Sequence, residues 1–181
     1  MRVAVIGTSG SGKTTLGRRL ADELGLRHVE LDAINWQPGW RGLNEHDPDE
    51  LMRRVEAATV EDAWVVEGGY SQVRPLVWSR ATHLVWLDYS RPLIMRRVIG
   101  RSIARALDRK PLWNGNRERW WWWVKADHPI RWAWDSWARR RSQFAELLAK
   151  PEFAHLDVLR LAHPREVPAI IETLRTSVRD G

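Results

Sequence analysis

The chain contains no cysteine, which excludes disulfides and Cys-ligated metal sites. It contains no run of 18 apolar residues, so no transmembrane helix is expected. It has no internal repeat and, apart from the run Trp120–Trp123, no low-complexity stretch to act as a linker. At 181 residues and 44% hydrophobic content it suits one domain with a sizeable core and perhaps a small insertion. A strand begins almost at Met1 and leaves no room for a signal peptide, so the expected location is the cytoplasm. Lysine is scarce, with four residues against 25 arginines.

The net charge of +6 is unevenly spread. Residues 96–141 hold 13 Lys/Arg and 4 Asp/Glu, a net +9, and 8 of the 13 tryptophans. The remainder therefore sums to −3. A GC-rich genome accounts for an excess of Arg and Trp but not for this clustering.

Against these absences stands one dense stretch. Val3 to Ile6 reads as a short buried strand. It runs into Gly7-Thr8-Ser9-Gly10-Ser11-Gly12-Lys13-Thr14, followed by Thr15, which fits G-x-x-x-x-G-K-[ST] at every fixed position. The glycines allow a tight wrap that turns backbone N–H groups inward around a phosphate. The start of the next helix adds its positive dipole end. Lys13 is placed for the β/γ-phosphates and the Thr14 hydroxyl for Mg²⁺. A turn that binds nothing needs one or two glycines, not this spacing. The glycines at 7, 10 and 12 do not fit a dinucleotide fingerprint.

Along the chain, Thr14 to Leu24 reads as a helix, with Leu16, Leu20 and Leu24 on one face and Gly25 as its stop. Arg27 to Leu31 is a second strand, ending at Asp32. Ala33 to Gly42 is expected to be a loop around Pro38-Gly39. Asp47-Pro48-Asp49-Glu50 starts a helix to about Val60. Trp64-Val65-Val66 is a third strand, ending in Glu67-Gly68-Gly69-Tyr70. His83 to Leu87 is a fourth, ending in Asp88. A helix from Ser90-Arg91-Pro92 runs to about Leu107. Asp157 to Leu161 is a fifth strand, and His163-Pro164-Arg165-Glu166 starts a last helix to about Val178. Strands alternating with helices imply an α/β fold with a parallel sheet covered on both faces. Ligands bind such sheets at the carboxyl ends of the strands, where the glycine loop, Asp32, Glu67 and Asp88 all fall.

Phosphoryl transfer needs a phosphate cradle, a divalent cation and cationic groups over the moving phosphoryl. Glu67 and Asp32 are the candidates to hold a Mg²⁺ water or to accept the proton of an attacking hydroxyl. Each also suits a helix cap or loop acceptor, and Asp88 equally suits a lead into the helix that follows it. Arg97, Arg101 and Arg105 share a helix face, and Arg101 is the one expected to reach the phosphates. Of Arg139-Arg140-Arg141, at most one or two can enter a cleft. Gly68-Gly69-Tyr70 allows close approach of a ligand to the backbone. Trp36 and Trp40, with Arg41, are candidates to wall an acceptor pocket. Trp120–Trp123 would point all around a helix, which requires burial, a place over the cleft, or a partner. Asp127-His128-Pro129 restarts a helix whose Ile130, Trp134, Trp137, Phe144 and Leu148 fall roughly on one face. Interleaved Arg and Trp suit stacking on nucleobases, or ordinary packing of two lid helices.

These residues resemble the adenylate-kinase-like branch of P-loop kinases, and within it the bacterial topology-modulation proteins. The likeness rests on the glycine loop, on Leu31-Asp32 with Trp36…Pro38-Gly39-Trp40, on Trp64 to Ser71, and on Thr82 to Asp88 with the Arg-rich helix after it. It is weakest over 110–140. It implies a three-layer P-loop NTPase fold with five parallel strands in the order 2-3-1-4-5, one domain over 1–181, and a helical lid at 109–141. It also implies ATP and Mg²⁺ as cofactors, with adenine near Arg97, Arg101 and Ala162-His163-Pro164. The acceptor would lie between the 32–42 loop and the segment after Glu67. Adenylate kinases carry Asp-Gly-Phe-Pro-Arg after the third strand. Glu67-Gly68-Gly69-Tyr70 stands here instead, which argues against AMP as acceptor. The leading expectation is thus a kinase of a small molecule or nucleotide. The alternatives are a nucleic-acid-associated ATP-binding regulator using residues 96–141, and an ATP-gated interaction module.

Overall fold

The computed structural model describes residues 1–108, 113–116 and 129–179. Arg105, Arg109 and Trp120–Trp123 carry expectations that lie outside the described backbone or side chains.

The main sheet is formed by β1 (Arg2–Gly7), β2 (Arg27–Glu30), β5 (Trp64–Glu67), β6 (His83–Leu87) and β7 (Asp157–Leu161). Its spatial order is β2-β5-β1-β6-β7, and every neighbour pair is parallel. Counted along the chain these five strands run 2-3-1-4-5, as the resemblance implies. Successive side chains of a strand point to opposite faces. Val3 and Val5 accordingly join one buried cluster with Leu16, Leu20, Val65, Val85, Ile94 and Leu174. Ala4 and Ile6 join the other with Leu51, Val55, Trp64, Val66, Trp78 and Phe144. Both faces of the central strands β1, β5 and β6 are buried, which is why these read as continuous apolar runs, whereas the edge strands β2 and β7 keep charged, partly exposed residues.

The helices α1 (Lys13–Leu24), α4 (Pro48–Ala58), α6 (Arg91–Asp108), α7 (Pro129–Leu148) and α8 (Val167–Arg179) lie near their expected positions. Their caps follow the sequence signals. The Asp47 side chain accepts from Glu50 N at 3.0 Å, and Gly25 closes α1 in a left-handed conformation. The structure adds α5 (Arg74–Arg80) and two short helices, α2 (Leu31–Asn35) and α3 (Leu43–His46).

Two expectations change. The 33–42 segment is not plain loop. β3 (Trp36–Gln37) and β4 (Arg41–Gly42) form a small antiparallel hairpin around Pro38–Trp40. Nor does Trp134 share the inward face of α7. Ala133, Ser136 and Phe144 are buried, while Trp134 is 52% exposed. The Arg91 guanidinium lies 3.5 Å from the Trp134 ring centroid, a cation–π contact that holds the ring on the outside. Among the described residues no helix is long and apolar enough to cross a membrane.

Candidate active site

The glycine loop joins β1 to α1 at the carboxyl edge of the sheet. Gly10 and Gly12 have φ of 81° and 96°, where L side chains are strained, and a Cβ on Gly10 would collide with Val98 of α6. Gly12 offers α1 no side-chain cap, so the first amide N–H groups of the helix stay open to an anion. The loop is braced from α6. Arg97 Nη1 donates to Ser11 O at 2.8 Å and Arg101 Nη2 to Ser9 Oγ at 3.3 Å. Lys13 Nζ donates to Thr8 O at 3.2 Å.

Pairing of β5 with β1 and β2 brings Glu67 level with Val5 and Glu30. Glu67 is 1% exposed. Its Oε1 accepts from Thr14 Oγ1 at 2.8 Å, whereas its Oε2 and the Ser11 hydroxyl are buried with no hydrogen-bond partner among the described residues. Burial raises the Glu67 pKa to about 7, against the opposing pull of Lys13 and of the Thr14 hydrogen bond. Burial also depresses the Lys13 ammonium, and the carboxylates of Glu67 and Asp32 partly offset this.

Asp32 sits in the first turn of α2, where Tyr70 donates its O–H to Oδ1 at 2.7 Å. Burial, then the Asp32 charge, push the Tyr70 phenol above its usual value, so it remains a donor. Gly68 and Gly69 lead from Glu67 to Tyr70. A Cβ on Gly68 would lie 2.7 Å from Leu31 Cβ, and one on Gly69 would lie 2.9 Å from Arg140 Nη1.

The sequence does not single out Arg140. Three consecutive arginines give no clue to which one a helix turns inward. Here Arg140 Nη1 donates to Gly69 O at 3.4 Å. Burial lowers its pKa first, then Arg139, while Tyr70 and Asp32 counteract, which places it on the Asp32 side of the cleft. Arg74 faces the same side with its guanidinium over Trp78 and Phe144, and among the described residues it makes no ion pair.

Asp88 has a different task. It is nearly buried and accepts from Arg141 Nε at 2.9 Å and from the Arg160 guanidinium. This joins α7 to β7 directly beside Arg140. Asp88→Ala strips a buried anion from two arginines and should lower stability by about 2 kcal/mol. Thermal or urea unfolding would measure the loss.

Other candidates are placed less centrally. Thr15 is exposed. His163 Nδ1 accepts from Arg165 N, capping the turn opened by Pro164. Trp36 and Trp40 pack edge-to-face at 5.6 Å on the hairpin, beyond Asp32. Among the described residues no group of three His, Asp or Glu forms a metal site.

Fold and loop sequence together define the class, a P-loop phosphotransferase. No family model matches the chain. The shikimate kinase of Synechococcus elongatus is 30% identical over 133 residues, which is 64% of this chain and 70% of that protein. A putative adenylate kinase of Pyrococcus furiosus is 32% identical over 107 residues, covering 59% of this chain and 54% of its own. The solved shikimate kinase of Bacteroides thetaiotaomicron superposes with a TM-score of 0.57 at 15% identity, covering 99% and 98% of the two chains. The chain belongs to the shikimate- and adenylate-kinase-like family of P-loop kinases and is an ATP-dependent small-molecule kinase. Kinases of this family use ATP and typically Mg²⁺.

Proposed function

We propose that this kinase phosphorylates a hydroxyl group of a small, anionic acceptor held between Asp32, Gly68-Gly69-Tyr70 and Arg140. The observation that carries the reading is the Thr14–Glu67 contact at 2.8 Å beside Lys13, with Asp32 on the far side. Bound MgATP supplies the phosphoryl group and neutralises charge on its own β- and γ-oxygens. The residues fit this cofactor. The loop N–H groups and Lys13 bind the phosphates. The Thr14 hydroxyl and, through water, the unpartnered Glu67 Oε2 hold the cation. Arg101 and Arg97 fix the loop and lie along the donor side, where His163 and Pro164 would border adenine. Asp32, oriented at Oδ1 by Tyr70, takes the hydroxyl proton at Oδ2. Arg140 and Arg74 present positive charge to the acceptor, and Trp36 and Trp40 wall it.

Residues 109–141 form the lid in this reading. The finer kinship is with the topology-modulation group, through the 31–40 and 64–71 motifs. Four of the seven arginines of the basic segment whose side chains are described, Arg97, Arg101, Arg140 and Arg141, turn onto the protein itself, which supports an enzyme over a nucleic-acid surface, while Arg96, Arg131 and Arg139 are exposed. An ADP-release screen tests the proposal, starting with shikimate, after the relatives' name, then other hydroxy acids and nucleotides beside their neutral analogues. Acidic acceptors are expected to turn over and neutral ones to fail. Arg140→Ala should raise KM for the acceptor tenfold or more with KM for ATP little changed. Background ADP release across the screen, with ATP bound, overturns the reading.

A further inference from the structure

Asn35 closes α2 three residues after Asp32 and is fully buried. An asparagine at that depth has an acceptor and two N–H donors to place. The acceptor is taken. Asn35 Oδ1 accepts the backbone N–H of Asn44 at 2.8 Å. Exchanging the amide oxygen and nitrogen would set donor against donor there, so the hydrogen-bond network assigns the orientation of the amide. Asn44 is held in turn through its carbonyl, which accepts from Gln72 Nε2 at 3.1 Å, two residues past Tyr70.

The donor side is different. Asn35 Nδ2 is buried and makes no hydrogen bond of ordinary length and angle among the described residues. Two acceptors lie near it. One is Asn44 Oδ1, itself buried without a partner among the described residues. A Cβ on Gly42 would lie 2.5 Å from that oxygen and 3.2 Å from Asn35 Nδ2. The other is the Tyr70 phenol oxygen, whose proton goes to Asp32 Oδ1 at 2.7 Å. Of the two, the phenol registers the amide. Burial and the Asp32 charge push its pKa up, and donation from the Asn35 side chain opposes them. Asn35 and Asp32 stand at i, i+3 on α2, a spacing that puts both on one face of the helix. Contacts of this kind are often loose in a free enzyme and tighten when substrate binds.

Resting on the kinase reading above, we propose that Asn35 is a positioning residue that acts through Tyr70: its Nδ2–H bonds to the phenol oxygen in the working enzyme, commits the single phenol proton to Asp32 Oδ1, and leaves Oδ2 to take the proton of the acceptor hydroxyl. As that proton leaves, the hydroxyl oxygen forms its bond to the γ-phosphorus. The bond from phosphorus to the ADP oxygen breaks, and ADP departs with the electron pair. A donor to the phenol oxygen polarises its O–H toward the carboxylate, so the two hydrogen bonds strengthen one another.

The test has a spectroscopic and a kinetic arm, both on the full chain. By NMR, one Asn35 side-chain amide proton should shift upfield in Tyr70→Phe. The phenylalanine keeps the aromatic ring, so the shift reports the lost acceptor. An unmoved resonance would mean that Nδ2 serves Asn44 Oδ1 instead, and would overturn the proposal. In the kinetic arm the substrates are MgATP and shikimate, or the screened acceptor that turns over fastest. Asn35→Ala should lower kcat about tenfold while both KM values stay within about threefold. In the Tyr70→Phe background the same substitution should change kcat by less than about twofold, because the group it acts through is gone. A merely structural role would cost the same factor with and without the phenol, which would also overturn the proposal while leaving the kinase reading intact. Should Asn35→Ala fail to fold, Asn35→Ser carries the same comparison. It keeps an acceptor for Asn44 N and removes the amide. The NMR arm needs no change at residue 35. Background ADP release across the screen, with ATP bound, overturns the kinase reading and this one with it.

Discussion

Lys13→Ala is expected to lower phosphoryl transfer by about 10³-fold or more, near 4 kcal/mol of transition-state stabilisation, while the fold stays intact. The ammonium is the one lysine charge at the head of α1, and among the described residues it makes a single donation, to Thr8 O at 3.2 Å. Losing that bond costs little. Burial already penalises the charged side chain, so removing it relieves part of a desolvation cost. The loop keeps its shape through Arg97 on Ser11 and the Ser11 N–H on Thr8 O, which do not involve the lysine side chain. Thermal unfolding should therefore change by no more than a few degrees while ADP release falls to background. Turnover within tenfold of wild type would show that the phosphate charge is met elsewhere.

Glu67→Gln should separate stability from activity. The carboxyl is buried and its pKa in the nucleotide-free fold is raised to about 7. A group with a raised folded pKa supports the fold fully below its unfolded value near 4.5, and that support is lost as pH rises through about 7. The gap amounts to about 3 kcal/mol. Above pH 7 the wild type thus holds an ionised carboxylate whose Oε2 has no hydrogen-bond partner among the described residues. Glutamine carries no charge there and keeps an oxygen for the Thr14 hydroxyl. The variant should melt at about the same temperature as wild type near pH 4.5 and about 5–10 °C higher at pH 8. It should also lose turnover by 10²-fold or more, because the carboxylate that holds a hydrated cation is gone. Melting curves at both pH values and ADP release at pH 8 check the two halves. Parallel melting profiles for the two proteins would mean that Glu67 is not strained in the free enzyme. A stable, inactive Glu67→Gln would instead mark a site that gives up stability for function.

Several features were legible because local chemistry encodes them. The helix starting at Asp47-Pro48 and the stop at Gly25 depend on residues within one turn, and both stand where expected. The α5 helix has only Pro75 in its first turn and no side-chain cap, a weaker signal than Asp47-Pro48. It begins at Arg74-Pro75 only a few residues past two glycines, and it is held by Val77 and Trp78 packing under the sheet. Trp134 shows the limit of periodicity. Its position on the apolar stripe was plausible, but Arg91 from a different helix offers its side chain a better place outside.

The sequence by itself determined the donor half of this enzyme. A strand, a glycine loop, Lys13 and Thr14 are adjacent in the chain, and their geometry follows from backbone rules that act over a few residues. It also determined the sheet, since each apolar run and each crossover is a local pattern and parallel pairing then leaves few arrangements. Only the tertiary structure decided the acceptor half. Asp32, Tyr70 and Arg140 are separated by tens of residues. Whether Arg139, Arg140 or Arg141 faces Gly69 depends on the rotation of α7, which the Asp88 clamp and the burial of Phe144 set together. Spacing along a chain fixes which residues share a helix face. It does not fix what that face meets.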